Sequence, residues 1–155
     1  IFEPGNIDRK SEFNFYADPH AADFVLSQKI NKILIPLDVT HKAILTEEHL
    51  KKLKNNKTTR LIKSIIKKYY DFYVNVGKFK GNPLHDPMAL ICAIDDSFFT
   101  FQLMDIKVEC EGKYTRGVCV PEFRLGSDPN FNIKVAIDLE VNKFMIYFLD
   151  KIQLD

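Results

Sequence analysis

The sequence predicts an α/β fold, a helix-covered sheet with an antiparallel excursion, and three observations carry that prediction. Ile33, Leu34, Ile35, Pro36, Leu37 and Val39 form an apolar run of the kind found in a strand buried on both faces. Several stretches show helical spacing, and two of them open on Asp-Pro, at Asp18-Pro19 and Asp86-Pro87. From Phe99 to Val120 the apolar period changes to two.

Taken in order, residues 1–17 begin irregularly, with Pro4, Gly5 and Asn6, and lead through Phe13, Phe15 and Tyr16 toward a strand end. Asp18 then caps a short helix through Ala21, Ala22, Phe24, Val25 and Leu26, with Pro19 at its first position. The apolar run follows as a strand from Ile33 to Val39, although Pro36 cannot donate to a ladder. Thr46 caps a helix to about Lys54. Thr58 or Thr59 caps a longer one to about Val76, with Ile62, Ile65, Ile66, Tyr69, Phe72, Tyr73 and Val76 on one face. Gly77, Gly81, Asn82 and Pro83 break the chain before a helix from Asp86 to about Ile94. Alternation through Met104, Ile106, Val108 and Cys110, a turn at Gly112 and the run from Tyr114 to Val120 make an antiparallel hairpin. Phe131, Ile133, Val135 and Ile137 give one more strand, and Val141, Phe144, Met145, Phe148, Leu149 and Ile152 a closing amphipathic helix.

Composition narrows the function. The 155 residues are 46% hydrophobic, enough for the core of one domain, and the formal net charge is only +1. Nothing in that balance recruits nucleic acid or an anionic membrane, and a small neutral ligand suits it better. The basic stretch from Lys51 to Lys68 is interleaved with Leu53, Leu61, Ile62, Ile65 and Ile66, the pattern of a solvated helix face. Cys92, Cys110 and Cys119 lack close CxxC spacing and point to a reducing compartment, hence the cytoplasm. Neither a spanning apolar stretch nor a signal-peptide pattern is present, so no membrane association is expected. The chain opens on Ile1 rather than an initiator methionine, and the expectation is that it belongs to something longer.

Three polar constellations stand where strands or loops meet helices: Glu12-Phe13-Asn14, Asp38-Val39-Thr40-His41 and His85-Asp86-Pro87. Ligands of open α/β sheets bind at such connections. Each also has a plain structural reading. Asp86 before Pro87 fits an N-cap, His41 fits a histidine satisfied in the core, and Glu12 and Asn14 fit residues serving turn backbone groups. His20 and His49, early on amphipathic helices, read as surface residues.

The string from Ser11 to Ala22, SEFNFYADPHAA, resembles the AEFN-to-DP segment of the inosine-uridine preferring nucleoside hydrolase family. Pro36-Leu37-Asp38-Val39-Thr40-His41 is similar to that family's L-[DN]-[VL]-T-H segment, and Leu84-His85-Asp86-Pro87-Met88-Ala89 to its HDP-x-A helix start. Thr115-Arg116-Gly117 resembles its hairpin signature. Four matches in the right order over most of the chain are specific together.

The resemblance implies the C-terminal portion of a single nucleoside hydrolase-like domain, residues 1–155, carrying part of an open, mostly parallel sheet flanked by helices. It also implies part of a ribonucleoside hydrolase that frees base and ribose in purine and pyrimidine salvage. Asn6, Glu12 and Asn14 would hold ribose hydroxyls, which suits a carboxylate acceptor and amides that both donate and accept. Phe13 would form an apolar wall by the nucleoside, Asp86 would ligate calcium at the substrate, and His85 would protonate the leaving base. Thr40 and His41 would support the site from the strand end. The implied chemistry passes through an oxocarbenium-like ribosyl cation, with a calcium-bound water attacking and an aspartate as general base. A homo-oligomer, dimer or tetramer, is implied for the complete enzyme.

One part of the family pattern is absent. Its D-x-D-x-x-x-D-D cluster does not occur here, and Asp95-Asp96 is the only adjacent Asp pair. Since calcium takes six to eight oxygen ligands, the Ca²⁺ site requires aspartates outside these residues, and the chain alone is expected to be inactive. Without the sheet neighbours that half of the family supplies, the run from Ile33 to Val39 is expected to leave an exposed, aggregation-prone edge. Two further readings compete: an inactive nucleoside hydrolase-like binding or interaction protein, and an HD-type phosphohydrolase using His85-Asp86, which the hairpin contradicts. Base choice rests on aromatics such as Tyr69, Tyr70, Phe72 and Tyr73, which equally suit a buried helix face, while His85 favours inosine and uridine.

Overall fold

A computed structural model describes residues 1–75, 77, 79–124 and 132–153. The elements run α1 (Phe13–Ala17), α2 (Pro19–Ser27), β1 (Lys32–Leu34), α3 (Leu37–Thr40), β2 (Ile44–Leu45), α4 (Glu47–Lys52) and α5 (Lys57–Asn75). They continue as β3 (Asn82–Pro83), α6 (His85–Ile94), β4 (Phe99–Met104), β5 (Ile106–Val108), β6 (Cys119–Pro121), β7 (Ile133–Leu139) and α7 (Val141–Lys151). The chain folds as two compact units, residues 1–38 with 100–138, and residues 39–99 with 139–155.

In the first unit β1, β7 and β4 form a three-stranded sheet in that order, β1 and β7 running parallel with Lys32 opposite Ile133 and Leu34 opposite Val135. β5 and β6 form a separate antiparallel pair with Val108 opposite Cys119. α2 starts as its sequence dictates: the Asp18 carboxylate accepts from the Ala21 amide, and Pro19 occupies the first turn. Its Leu26 packs with Met104, Ile106, Val108, Ile133 and Val135 into the unit's core. Burying side chains of this size contributes roughly 1.5–3 kcal/mol each. Asp23 fixes the helix to the hairpin by accepting from the Val108 amide at 3.1 Å.

The second unit is helical around the antiparallel pair of β2 and β3. Thr46 caps α4 in a capping box completed by His49, so His49, expected at the surface, is half-buried and serves the backbone. Phe144 is fully buried, with the rings of Phe98, Phe99 and Phe148 around it. The Leu84 amide donates to the Ala43 carbonyl and so fixes the start of α6 beside the β2 segment.

Several sequence expectations change. The run from Ile33 to Val39 is not one strand buried on both faces: β1 ends at Leu34, α3 begins at Leu37, and Ile33 is exposed. Pro36 supplies no donor for a ladder at the break. Residues 13–17 form a helical turn instead of a strand end, because Glu12 caps it. The long helix α5 begins at Lys57 rather than after Thr58 or Thr59: Asn56 accepts from the Thr59 amide, and Thr59 is fully buried. α6 begins at His85 with Leu84 in the cap position and no side-chain cap, so Asp86 is not an N-cap. The hairpin is confined to β5 and β6, since β4 belongs to the β1–β7 sheet. Of the α5 face expected to be buried, Ile65, Tyr69 and Phe72 are exposed. Val76 and Phe131 lie outside the described residues.

Candidate active site

The residues singled out fall into two groups, one in each compact unit. In the first, Glu12 stands at the head of α1, its carboxylate accepting from the Asn14 amide at 2.9 Å and the Phe15 amide at 3.3 Å. The Asn14 side-chain amide donates to the other carboxylate oxygen at 3.3 Å. Asn6 reaches the same turn, its side-chain carbonyl accepting from the Phe13 amide at 2.8 Å. The chain between them is bent by Asp8, whose carboxylate accepts from the Lys10 and Ser11 amides and is held below its ordinary range by those bonds. Asn6, Glu12, Phe13 and Asn14 thus come together on one turn, with Phe13 and Asn14 exposed and Glu12 half-buried. Both carboxylate oxygens of Glu12 are engaged within the turn, Oε2 by the two backbone amides and Oε1 by the Asn14 side chain.

Asp38 is tied to the start of the chain. The Phe2 amide donates to its carboxylate at 2.9 Å.

In the second unit His85 occupies the first turn of α6, with Nδ1 2.8 Å from the hydroxyl of Thr40, itself buried. Thr40 and His41 stand at the end of α3 and not at a strand end. The His41, Tyr73 and Phe79 rings complete an aromatic enclosure, His41 and Tyr73 lying 5.7 and 5.9 Å from the His85 ring. His85 Nε2 is buried and has no hydrogen-bond partner among the described residues. Burial, and then the neighbouring His41, push His85 down to about 4, with Asp86 opposing. The imidazole is therefore neutral at pH 7, one nitrogen engaged by Thr40 and the other unsatisfied. Asp86, next in sequence, is exposed.

Sequence reasoning did not find Phe79, which sits in a Gly-rich break with no local signal. Tyr73 was legible only as one of several aromatics on α5. Among the described residues no three His, Cys, Asp or Glu side chains form a cluster able to hold a metal. Asp86 offers at most two of the six to eight oxygens that calcium takes, so the described residues do not fit a calcium cage. All three cysteines are free thiols, and burial raises Cys119 to about 11. No described helix is long and apolar enough to cross a membrane.

The sequence model of the family described as inosine-uridine preferring nucleoside hydrolase matches residues 1–146. The chain is 35% identical over 141 residues to a pyrimidine-specific ribonucleoside hydrolase RihA of Citrobacter koseri, covering 86% of this chain and 45% of that protein. It is 30% identical over 154 residues to the inosine-uridine preferring nucleoside hydrolase of Crithidia fasciculata, covering 98% of this chain and 49% of that one. Among solved structures, the purine-preferring ribonucleoside hydrolase from Gardnerella vaginalis superposes with a TM-score of 0.86 at 28% identity, over 97% of this chain and 48% of that one. These likenesses define the class of fold as that of the nucleoside hydrolases. The chain belongs to the inosine-uridine preferring nucleoside hydrolase family. It spans about half the length of the relatives it matches. Their names, all of hydrolases, do not favour the reading as an inactive binding protein.

Proposed function

We propose that the protein carrying this chain hydrolyses the N-glycosidic bond of ribonucleosides, releasing the base and ribose, in cytoplasmic salvage of purines and pyrimidines. The arrangement of Asn6, Glu12 and Asn14 on one turn is the observation that carries this reading. A ribose diol needs acceptors for its hydroxyl protons and donors for its oxygens, and a carboxylate flanked by two amides supplies both. Phe13, exposed beside them, offers an apolar wall to the nucleoside. The relatives' names span pyrimidine-specific, inosine-uridine preferring and purine-preferring enzymes, and we assign inosine and uridine as the substrates to test first.

His85 is proposed to serve the leaving base. Its unsatisfied Nε2 faces no protein partner among the described residues, so a base nitrogen would complete its hydrogen bonding. Neutral in the resting protein, it gains a proton only against its burial. To donate it must first take a proton from solvent, and negative charge developing on the departing base would favour that imidazolium before the proton passes to the base nitrogen. Asp86 is proposed as one oxygen donor to calcium and the ribose, with the remaining ligands and the general base outside the described residues. A homodimer or homotetramer is the proposed assembly of the complete enzyme.

The test is His85→Ala in the complete enzyme, with kcat measured on inosine and on p-nitrophenyl riboside, whose leaving group needs no proton. A loss of about 10²-fold or more on inosine alone supports leaving-base protonation. Equal losses on both substrates refute it.

A further inference from the structure

The Thr115-Arg116-Gly117 run takes no part in the proposed chemistry, yet it is joined at both ends to the turn that presents Glu12 and Asn14. Ser11, fully buried just before that turn, donates its hydroxyl to the carbonyl of Arg116. At the other end of α1 the contact is returned: Arg116 Nε donates to the carbonyl of Tyr16 at 3.2 Å, while its Nη1 reaches the Cys110 carbonyl at 3.4 Å. Between these ties Gly117, at φ +76°, lies against the helix backbone. A Cβ there would stand 2.6 Å from the Tyr16 nitrogen and 2.7 Å from the Phe15 carbonyl carbon and oxygen. Both the left-handed conformation and the lack of space require glycine.

The loop bearing these groups is itself held. The Gly117 amide donates to the Glu109 carbonyl at 2.7 Å, the Arg116 amide to the Gly112 carbonyl at 3.0 Å, and the Glu109 amide to the Val118 carbonyl at 2.9 Å. α1 has the opposite character. It is five residues long and none of them is buried. A helix of one turn does not hold its own geometry in water, so its position comes from what grips it: Phe15 packs against the core, and the polar ties run to Arg116.

We propose that Arg116, seated by Gly117, is a positioning residue for the sugar side of the site: its carbonyl holds Ser11 ahead of α1, its guanidinium holds Tyr16 within α1, and together they fix the Glu12 carboxylate and the Asn14 amide in a single orientation toward a ribose. This rests on the ribonucleoside reading given above. The guanidinium suits the task because its planar fork spans two carbonyls at once, one on α1 and one in the loop, which a lysine ammonium does not do in a fixed geometry.

The test uses Arg116→Ala, Arg116→Lys and Gly117→Ala in the complete enzyme, with two kinds of readout. Amide exchange at Asn14, Phe15 and Tyr16 reports the grip without any nucleoside, and exchange in R116A is expected to quicken by about tenfold, the loss of one charged hydrogen bond. Hydrolysis reports its use. kcat/KM is expected to fall by about tenfold, and equally on inosine and on p-nitrophenyl riboside, because the two share only the ribose. R116K should lie between wild type and R116A on both readouts, and G117A should follow R116A. A merely structural role would lower thermal stability while leaving kcat/KM per folded molecule intact, and that result overturns the proposal. So do unchanged exchange in R116A, or a loss confined to inosine. Wild-type enzyme that hydrolyses no ribonucleoside overturns the functional reading instead, and the exchange measurement still decides whether Arg116 grips the turn.

Discussion

Acidification isolates the burial of His85 more cleanly than any substitution in the core. The folded chain holds this imidazole at about 4 against an ordinary 6.5, burial being the larger cause and His41 the next. Between those two values the unfolded chain binds the proton and the folded chain does not. Stability from this group is therefore complete above about pH 6.5, falls as the pH drops, and levels off below about 4. Integrated from pH 7 to pH 4.5, the loss is about 2 kcal/mol, at roughly 1.4 kcal/mol per pKa unit. Urea unfolding of wild type and His85→Gln at the two pH values checks this, because the glutamine chain lacks the proton and should keep about 2 kcal/mol more of its neutral-pH stability. Proton NMR of the His85 ring gives the same quantity directly, and His41→Gln should shift that titration upward. An imidazole titrating near 6.5, or equal acid losses in both chains, would refute the burial argument and with it the neutral resting state.

Three further outcomes are expected. Glu12→Gln keeps a cap oxygen on α1 but loses the charge offered to a ribose hydroxyl. Melting should change by less than about 1 kcal/mol while kcat/KM of the complete enzyme falls about 10- to 100-fold, read from thermal scans and initial rates. Phe144→Ala empties a fully buried site among Phe98, Phe99 and Phe148 and should cost about 3–5 kcal/mol in urea titration. The 155-residue chain by itself should bind calcium no more tightly than about 1 mM by calorimetry, and should release no base from inosine or uridine.

What the sequence shows well is what neighbours settle among themselves. Asp18-Pro19 and Thr46 announce their helices because a cap and its amide lie within three residues. The Ile33-to-Val39 run misleads because apolar periodicity cannot see Pro36 separating a short strand from a helical turn. Asp86 misleads in the other direction. Its local pattern is that of a cap, and only the contact between Leu84 and Ala43 shows where α6 begins. The site depends on still longer reach. Thr40 and His85 are 45 residues apart, and Arg116 grips Tyr16 from 100 residues away. No local pattern encodes such pairs, so resemblance to a family named the residues and geometry supplied their partners.

The bond from Phe2 to Asp38 closes a loop whose ends lie 36 residues apart, and Asn6, Glu12, Phe13 and Asn14 all sit inside it. Closure entropy grows only with the logarithm of loop length, so doubling that length adds about 0.6 kcal/mol. Extra residues in the bends between α2 and β1 should therefore be tolerated. The fastening point is the fixed quantity: moving Asp38 by one residue along the helical turn of α3 rotates its carboxylate by about 100° and takes it away from the Phe2 amide.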